Sequence, residues 1–314
     1  MNVLNMNKSI QLGLITAGLL FSWRTIGADL GEMAPSWQIG QWIEGQPSKL
    51  EDNFGKKVQV ITFWEAGCPA CRDSLPYLAE LTSRFADRGV VLVAVTTEPA
   101  ALVKGFLEKS GVPIRFAVAM DDGRKTYGAY MTAFGADIIP HSFIVATNGL
   151  VLWHGHPKAG LEQALADVLG GKFDVAEAKK VANAEKCRKE YRSLVTAKET
   201  NPKAKDLGER ILADGGRDPW LMNNFAWEIL TDQQIQVRDR ELALRAAKAA
   251  CEATGHSNPS FLDTYARALF DSDQIEKAIR IQKQAIELCK EELHRSALEQ
   301  TLKGYQQEAG KRAK

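Results

Sequence analysis

Between residues 29 and 172 the chain alternates between short continuous apolar runs and stretches in which apolar residues return every three or four positions. Val58-Gln59-Val60-Ile61-Thr62-Phe63-Trp64 is β-branched and aromatic, which predicts a central buried strand. Leu75, Leu78, Leu81 and Phe85 then recur at helical spacing up to Gly89, and Val90 to Val95 reads as a second buried strand. Ala101 to Lys109 predicts a helix closed by Ser110-Gly111, Phe116 to Met120 a short strand, and 124–134 another helix. Ser142 to Ala146, the Asn148-Gly149 turn and Leu150 to Trp153 form a hairpin signal, and a helix over 160–169 stops at Gly170-Gly171. Helix and strand in alternation, finishing in an antiparallel pair, predict a mixed sheet flanked by helices.

Beyond Lys172 the strand signals vanish. Val181, Ala184, Cys187, Tyr191 and Leu194 fall on one helical face, and helical periodicity persists almost to the end. Two segments repeat there. Asn224-Phe225-Ala226 aligns with Thr264-Tyr265-Ala266, and Ala243, Arg245 and Ala250 align with Ala278, Arg280 and Ala285. The first unit carries about five extra residues near Gln233–Asp239. Small residues at these spacings let helical hairpins close tightly. The pattern resembles the tetratricopeptide repeat over 217–307, although a proline after the second unit is missing. Leu298, Leu302 and Tyr305 read as a capping helix. The expected layout is a leader over 1–28, an α/β domain over 29–172, a helical linker over 173–216 and a repeat-like helical domain over 217–314.

The leader rests on Lys8, an apolar stretch from Ile10 to Trp23, and Ile26-Gly27-Ala28 as a small-residue cleavage site before Asp29. That stretch has the length of a signal-peptide core and is short for a bilayer span of about 20 residues. The expectation is cleavage and export to the periplasm or beyond; a retained membrane anchor and a buried helix are the alternatives. The charge balance adds only exclusions. Forty Lys and Arg against 39 Asp and Glu leave a formal net charge of +1, with no footprint for nucleic acid or for an anionic membrane surface.

The candidate chemistry is Cys68-Pro69-Ala70-Cys71, just past a predicted strand and at the start of a predicted helix. At a helix N-terminus, unpaired N–H groups and the dipole favour a thiolate on Cys68. Pro69 suits the first helical position, where an N–H would have no partner. Cys71, one turn later, is close enough to close a disulfide, so Cys68 is the expected nucleophile and Cys71 the resolving thiol. Zinc also uses this spacing but needs two further ligands. No second C-x-x-C or H-x-x-H is present, and His154 and His156 stand only two apart. An exported cysteine pair sits where disulfides persist, with no cofactor beyond the disulfide itself.

Phe63-Trp64-Glu65-Ala66-Gly67-Cys68-Pro69-Ala70-Cys71-Arg72 resembles the thioredoxin superfamily, in particular its exported TlpA- and ResA-type thiol–disulfide oxidoreductases. Trp42-Ile43-Glu44-Gly45-Gln46-Pro47 and Gly155-His156-Pro157 extend the likeness over about 140 residues. The resemblance implies a thioredoxin-like fold and exchange with protein disulfide or dithiol substrates in the reducing direction. It also implies a cis-proline facing the cysteines, for which Pro140 is the matching position. Ile139 would then offer its backbone to an extended substrate. Trp64 is expected to pack beside the site. His141 is expected either near the sulfurs, lowering the Cys68 pKa when protonated, or as a rim residue.

The chain departs from the family in three places. Thr62 stands where thioredoxins often carry a buried Asp, Ser74 where TlpA-like proteins often carry Glu, and Ala70 where many relatives have a second proline. Neither usual proton acceptor for the resolving thiol is present, which leaves Glu65, Asp73 or water. A peroxiredoxin would need Thr at position 65, which is Glu. Cys187 is expected to be structural, and Cys251 and Cys289 to be buried thiols or a disulfide between repeats. The helical domain is expected to bind a protein or peptide partner. A different class of reading makes that binding the function and the cysteine domain a redox-regulated anchor.

Overall fold

The computed structural model describes residues 28–196, 201–290 and 292–312. All but the last residue of the expected leader lies outside these. The apolar runs form one mixed six-stranded sheet: β1 Ile39–Glu44, β2 Val58–Phe63, β3 Val90–Thr96, β4 Ala117–Asp121, β5 His141–Val145 and β6 Val151–Gly155. Its order is β1-β4-β3-β2-β5-β6. β2, β3 and β4 run parallel, while β5 is antiparallel to β2, β6 to β5, and β1 to β4. The expected mixed sheet flanked by helices is therefore what forms. β1 had no clear signal in the sequence: of its residues only Ile43 is buried, and its pairing with β4 is irregular, as befits an edge.

β2 is buried along its whole length, which is why it reads as a continuous apolar run rather than an alternation. Its side chains still divide by parity. Val58 and Val60 face a core with Leu75, Leu78, Leu81 and Leu165; Ile61 and Phe63 face a second core with Tyr130, Phe134 and Phe143. The first core is covered by α1 Pro69–Phe85, α2 Ala100–Ser110 and α4 Leu161–Leu169. The second is covered in part by α3 Lys125–Tyr127, which continues as a π turn over Gly128–Thr132. The Asn148-Gly149 turn needs glycine on two counts: φ is +81°, and a Cβ would sit 2.7 Å from Met33 and 3.0 Å from Phe54.

The remaining helices are α5 Val175–Val195, α6 Pro202–Gly215, α7 Pro219–Thr231, α8 Arg240–Ala253, α9 Pro259–Asp271, α10 Ile275–Leu288 and α11 Glu292–Arg312. Three begin at an Asx-Pro step: Asn201-Pro202, Asp218-Pro219 and Asn258-Pro259. In each, the Asx side chain accepts from the first turn and the proline occupies N1. α7 and α8 are joined by eight residues, 232–239, and α9 and α10 by three, 272–274, which accounts for the five extra residues of the first unit. Ala226, Ala243, Ala247 and Ala250 are fully buried where these helices cross. The stretch 173–216 is two packed helices, α5 and α6, and Cys187, Tyr191, Leu207 and Ile211 enter the core shared with α7 to α10. Cys251 is a buried thiol in that core and forms no disulfide.

Candidate active site

The end of β2 delivers the chain through Glu65-Ala66-Gly67 to Cys68, the N-cap of α1. Its Sγ accepts a hydrogen bond from the Cys71 amide at 3.2 Å and, as a thiol, can donate to the Ile139 carbonyl at 3.9 Å. Cys68 is half-buried and Cys71 only 1% exposed, so a solvent-borne sulfur reaches Cys68 first. Both are thiols here. Burial, reinforced by the hydrogen bond with Cys68, pushes the Cys71 thiol up to about 12. Cys71 is therefore held as the neutral thiol at neutral pH.

The loop before Cys68 is held from two sides. The Glu98 carboxylate, just past β3, accepts from the Ala66 amide at 2.5 Å and from the Gly67 amide at 3.2 Å. Arg72 donates to the Ala66 carbonyl at 3.2 Å. Glu98 was not among the residues singled out from the sequence, since nothing local marks a glutamate between Thr97 and Pro99. Only the parallel pairing of β2 with β3 brings it to the cysteine loop.

Facing the cysteines, the Ile139–Pro140 bond is cis. Ile139 packs against both cores, and the preceding Ile138 is 67% exposed beside it. Of the two acids considered for proton transfer, the structure brings only Glu65 to the site. Its charge is felt at Cys71, raising that thiol further, and Thr97 donates to its carboxylate at 3.1 Å. Asp73 is exposed on α1. Glu65 and Thr97 also border a cavity of about 10 Å³ with Tyr127 and Ile139, room for about one water. Thr62, where a buried Asp is common, is instead neutral and pairs with the Ser142 hydroxyl at 2.8 Å. Ser74 bonds back to the Ala70 carbonyl at 2.9 Å.

Trp64 is 2% exposed and packs on Phe106 with ring centroids 6.0 Å apart, so it supports the site from within. His141 is half-buried at the start of β5. It shares the parity of Phe143 on β5, and that parity points away from α1 into the second core. There its Nε2 lies 3.0 Å from His154 Nδ1, and both rings pack on Phe143. Burial, with the neighbouring His154, lowers His141 to about 3, and burial with Lys186 and Lys189 lowers His154 to about 4. The pair is therefore uncharged at neutral pH.

The Redoxin family model matches residues 31–168. The chain is similar to the thiol-disulfide oxidoreductase ResA of Bacillus anthracis, 32% identical over 124 residues, covering 39% of this chain and 67% of that protein. It is also similar to ResA of Geobacillus kaustophilus, 28% identical over 160 residues, covering 46% and 87% respectively. Among solved structures, a thioredoxin-family thiol:disulfide interchange protein from Chlorobium tepidum is 25% identical, with a TM-score of 0.37, covering 46% of this chain and 99% of that one. With these ResA relatives and a cysteine pair at the head of α1, the chain belongs to the ResA family of thiol–disulfide oxidoreductases.

Proposed function

We propose that this oxidoreductase is exported, that Cys68 is its nucleophile and Cys71 its resolving thiol, and that it reduces protein disulfides. The observation that carries the reading is the asymmetry of the pair. One sulfur is accessible and bonded by an amide of the first helical turn; the other is buried and held protonated. The Cys68 thiolate attacks a substrate disulfide, a mixed disulfide forms, and the first substrate thiolate leaves. Glu65 takes the Cys71 proton, and the Cys71 thiolate attacks Cys68 Sγ. The Cys68–Cys71 disulfide closes and the second substrate thiolate departs, so the substrate gains the two electrons that the enzyme loses. Ile139 and Pro140 offer backbone to an extended substrate segment, with Ile138 at its edge. Thioredoxin-like exchange and the apolar stretch from Ile10 to Trp23 support a reaction in the periplasm or beyond. The tetratricopeptide-like helical unit, with Trp227 44% exposed on α7, takes a protein or peptide partner.

Insulin reduction with a thiol regenerant tests the reading. Wild type should be active and Cys68→Ser inactive, while Cys71→Ser should accumulate a mixed disulfide through Cys68. Trapping through Cys71 instead would overturn the assignment. A reduction potential near about −270 mV would support the reducing direction, and one near about −120 mV would reverse it. Sequencing the N-terminus of protein recovered from the periplasm should give Asp29 as the first residue.

A further inference from the structure

α5 belongs to two cores at once. At about 100° per residue, Ala178, Ala182 and Lys189 fall within about 40° of one another, while Ala184, Cys187 and Tyr191 occupy the opposite side. The second set is buried with the helical unit. The alanines of the first set pack against the sheet core that contains Phe143 and Val151. This division explains why the helix shows apolar residues on two faces rather than one stripe. Near its N-terminus α5 rests on Gly31, where an added Cβ would meet Val175 at 3.0 Å, and Lys179 pairs with Asp29 at 3.2 Å.

The end of the first face reaches the active site's neighbour. Lys189 Nζ donates to the Gly135 carbonyl at 2.9 Å and pairs with Asp137 at 3.1 Å. Gly135 is in the left-handed region, with φ +68°, and begins the connection that ends at Ile139 and Pro140. Across the connection's far end, the Ile139 carbonyl lies 3.9 Å from Cys68 Sγ. Along its flank, α5 is tied to α7 and its C-cap through Arg188 to Glu228 and through Arg192 to Glu228 and Asp232. A continuous set of contacts therefore runs from the helical unit to the loop facing the nucleophile.

We infer that Lys189 is a positioning residue for the substrate-presenting loop, supplied by the helical unit, so that this unit is part of the substrate-facing surface of the enzyme. The inference rests on the proposal that Ile139 and Pro140 receive the substrate. A lysine suits this role because one ammonium satisfies both a carbonyl and a carboxylate and pins the loop at its start. Lys189→Ala frees the loop without touching either sulfur.

The test uses the full chain with Lys189→Ala, Lys189→Arg and, as a matched control, Lys179→Ala, which removes the other α5 ion pair to the sheet domain. Hydrogen exchange of the 136–139 amides should quicken about five-fold in Lys189→Ala, as expected for a half-exposed charged contact. The KM for insulin should rise by a similar factor with kcat unchanged, because only the substrate-facing loop is loosened. Lys189→Arg should restore both, and Lys179→Ala should leave both at wild type. Wild-type exchange or an unchanged insulin KM in Lys189→Ala, or equal effects from both alanine variants, would overturn the inference. Exchange is read without turnover, so an inactive wild type would sink the functional reading and the substrate-facing role with it, while wild-type exchange in an active enzyme would sink the inference alone.

Discussion

Glu98 provides the sharpest test of how the cysteine loop is held. Its carboxylate accepts the amides of Ala66 and Gly67, the two residues before the N-cap sulfur. Ala66 is 4% exposed, so its N–H cannot turn to water when the acceptor is removed, whereas Gly67 is exposed and can. Glu98→Ala therefore leaves one buried donor unsatisfied, at a cost of about 1–3 kcal/mol to the closed loop. That is about a 5- to 150-fold increase in the population of the open loop. Glu98→Gln keeps one carbonyl acceptor but turns an amide NH₂ toward the second donor, and should fall between. The sheet domain and the helical unit have cores of their own and need not unfold in one step, so global denaturation is the wrong assay. Native-state hydrogen exchange at the amides of Ala66, Gly67 and Cys68 reads the loop directly, with insulin turnover as the functional companion. Exchange in Glu98→Ala within two-fold of wild type would mean that the carboxylate does not hold the loop.

Three further outcomes follow from buried groups. His141 and His154 are held neutral, with pKa values lowered to about 3 and about 4, below an unfolded value near 6.5. The unfolded chain thus binds more protons below pH 6.5. The stability from this pair is complete above that pH and falls as pH drops toward 4, by about 2 kcal/mol per histidine at pH 5. Thermal melts of wild type and His154→Phe between pH 7.5 and 5 should diverge on acidification, and parallel curves would contradict it. With the Cys71 thiol raised by burial, iodoacetamide should label Cys71 in Cys68→Ser at least about ten-fold more slowly than a free cysteine at pH 8; equal rates would count against its buried, protonated state. In the helical unit, a Cβ on Gly215 would stand 2.6 Å from Leu221 and 3.1 Å from Ala184. Gly215→Ala should cost about 1–3 kcal/mol by overpacking, measured by native-state hydrogen exchange of the α6 and α7 amides; unchanged exchange would show that the helices can part freely.

Thr62 shows how a departure from a family pattern is absorbed. Thr62 and Ser142, paired across β2 and β5, keep a polar position satisfied without a charge. Glu65, at the end of the same strand and fixed by Thr97, is the acid the fold leaves within electrostatic reach of Cys71.

The features legible in the chain alone were local. The apolar runs defined β2, β3 and β5, and the Asn148-Gly149 turn defined the β5–β6 hairpin. Cys68-Pro69 likewise carries the N-cap and N1 of α1 in adjacent residues, so the setting of Cys68 could be read before any fold was known. These features depend on backbone preferences and on periods of two or 3.6 residues, which act over a few positions. Whatever depends on which segments become neighbours was settled only by packing. Strand parity turned His141 away from the sulfurs. The β2–β3 pairing brought Glu98 to Ala66 from 32 residues away. Docking on two cores made α5 a bridge, and placed Lys189 on Gly135 from 54 residues away. A side chain carries no local mark of a partner that far along the chain, because only the packed sheet and helices bring the two together.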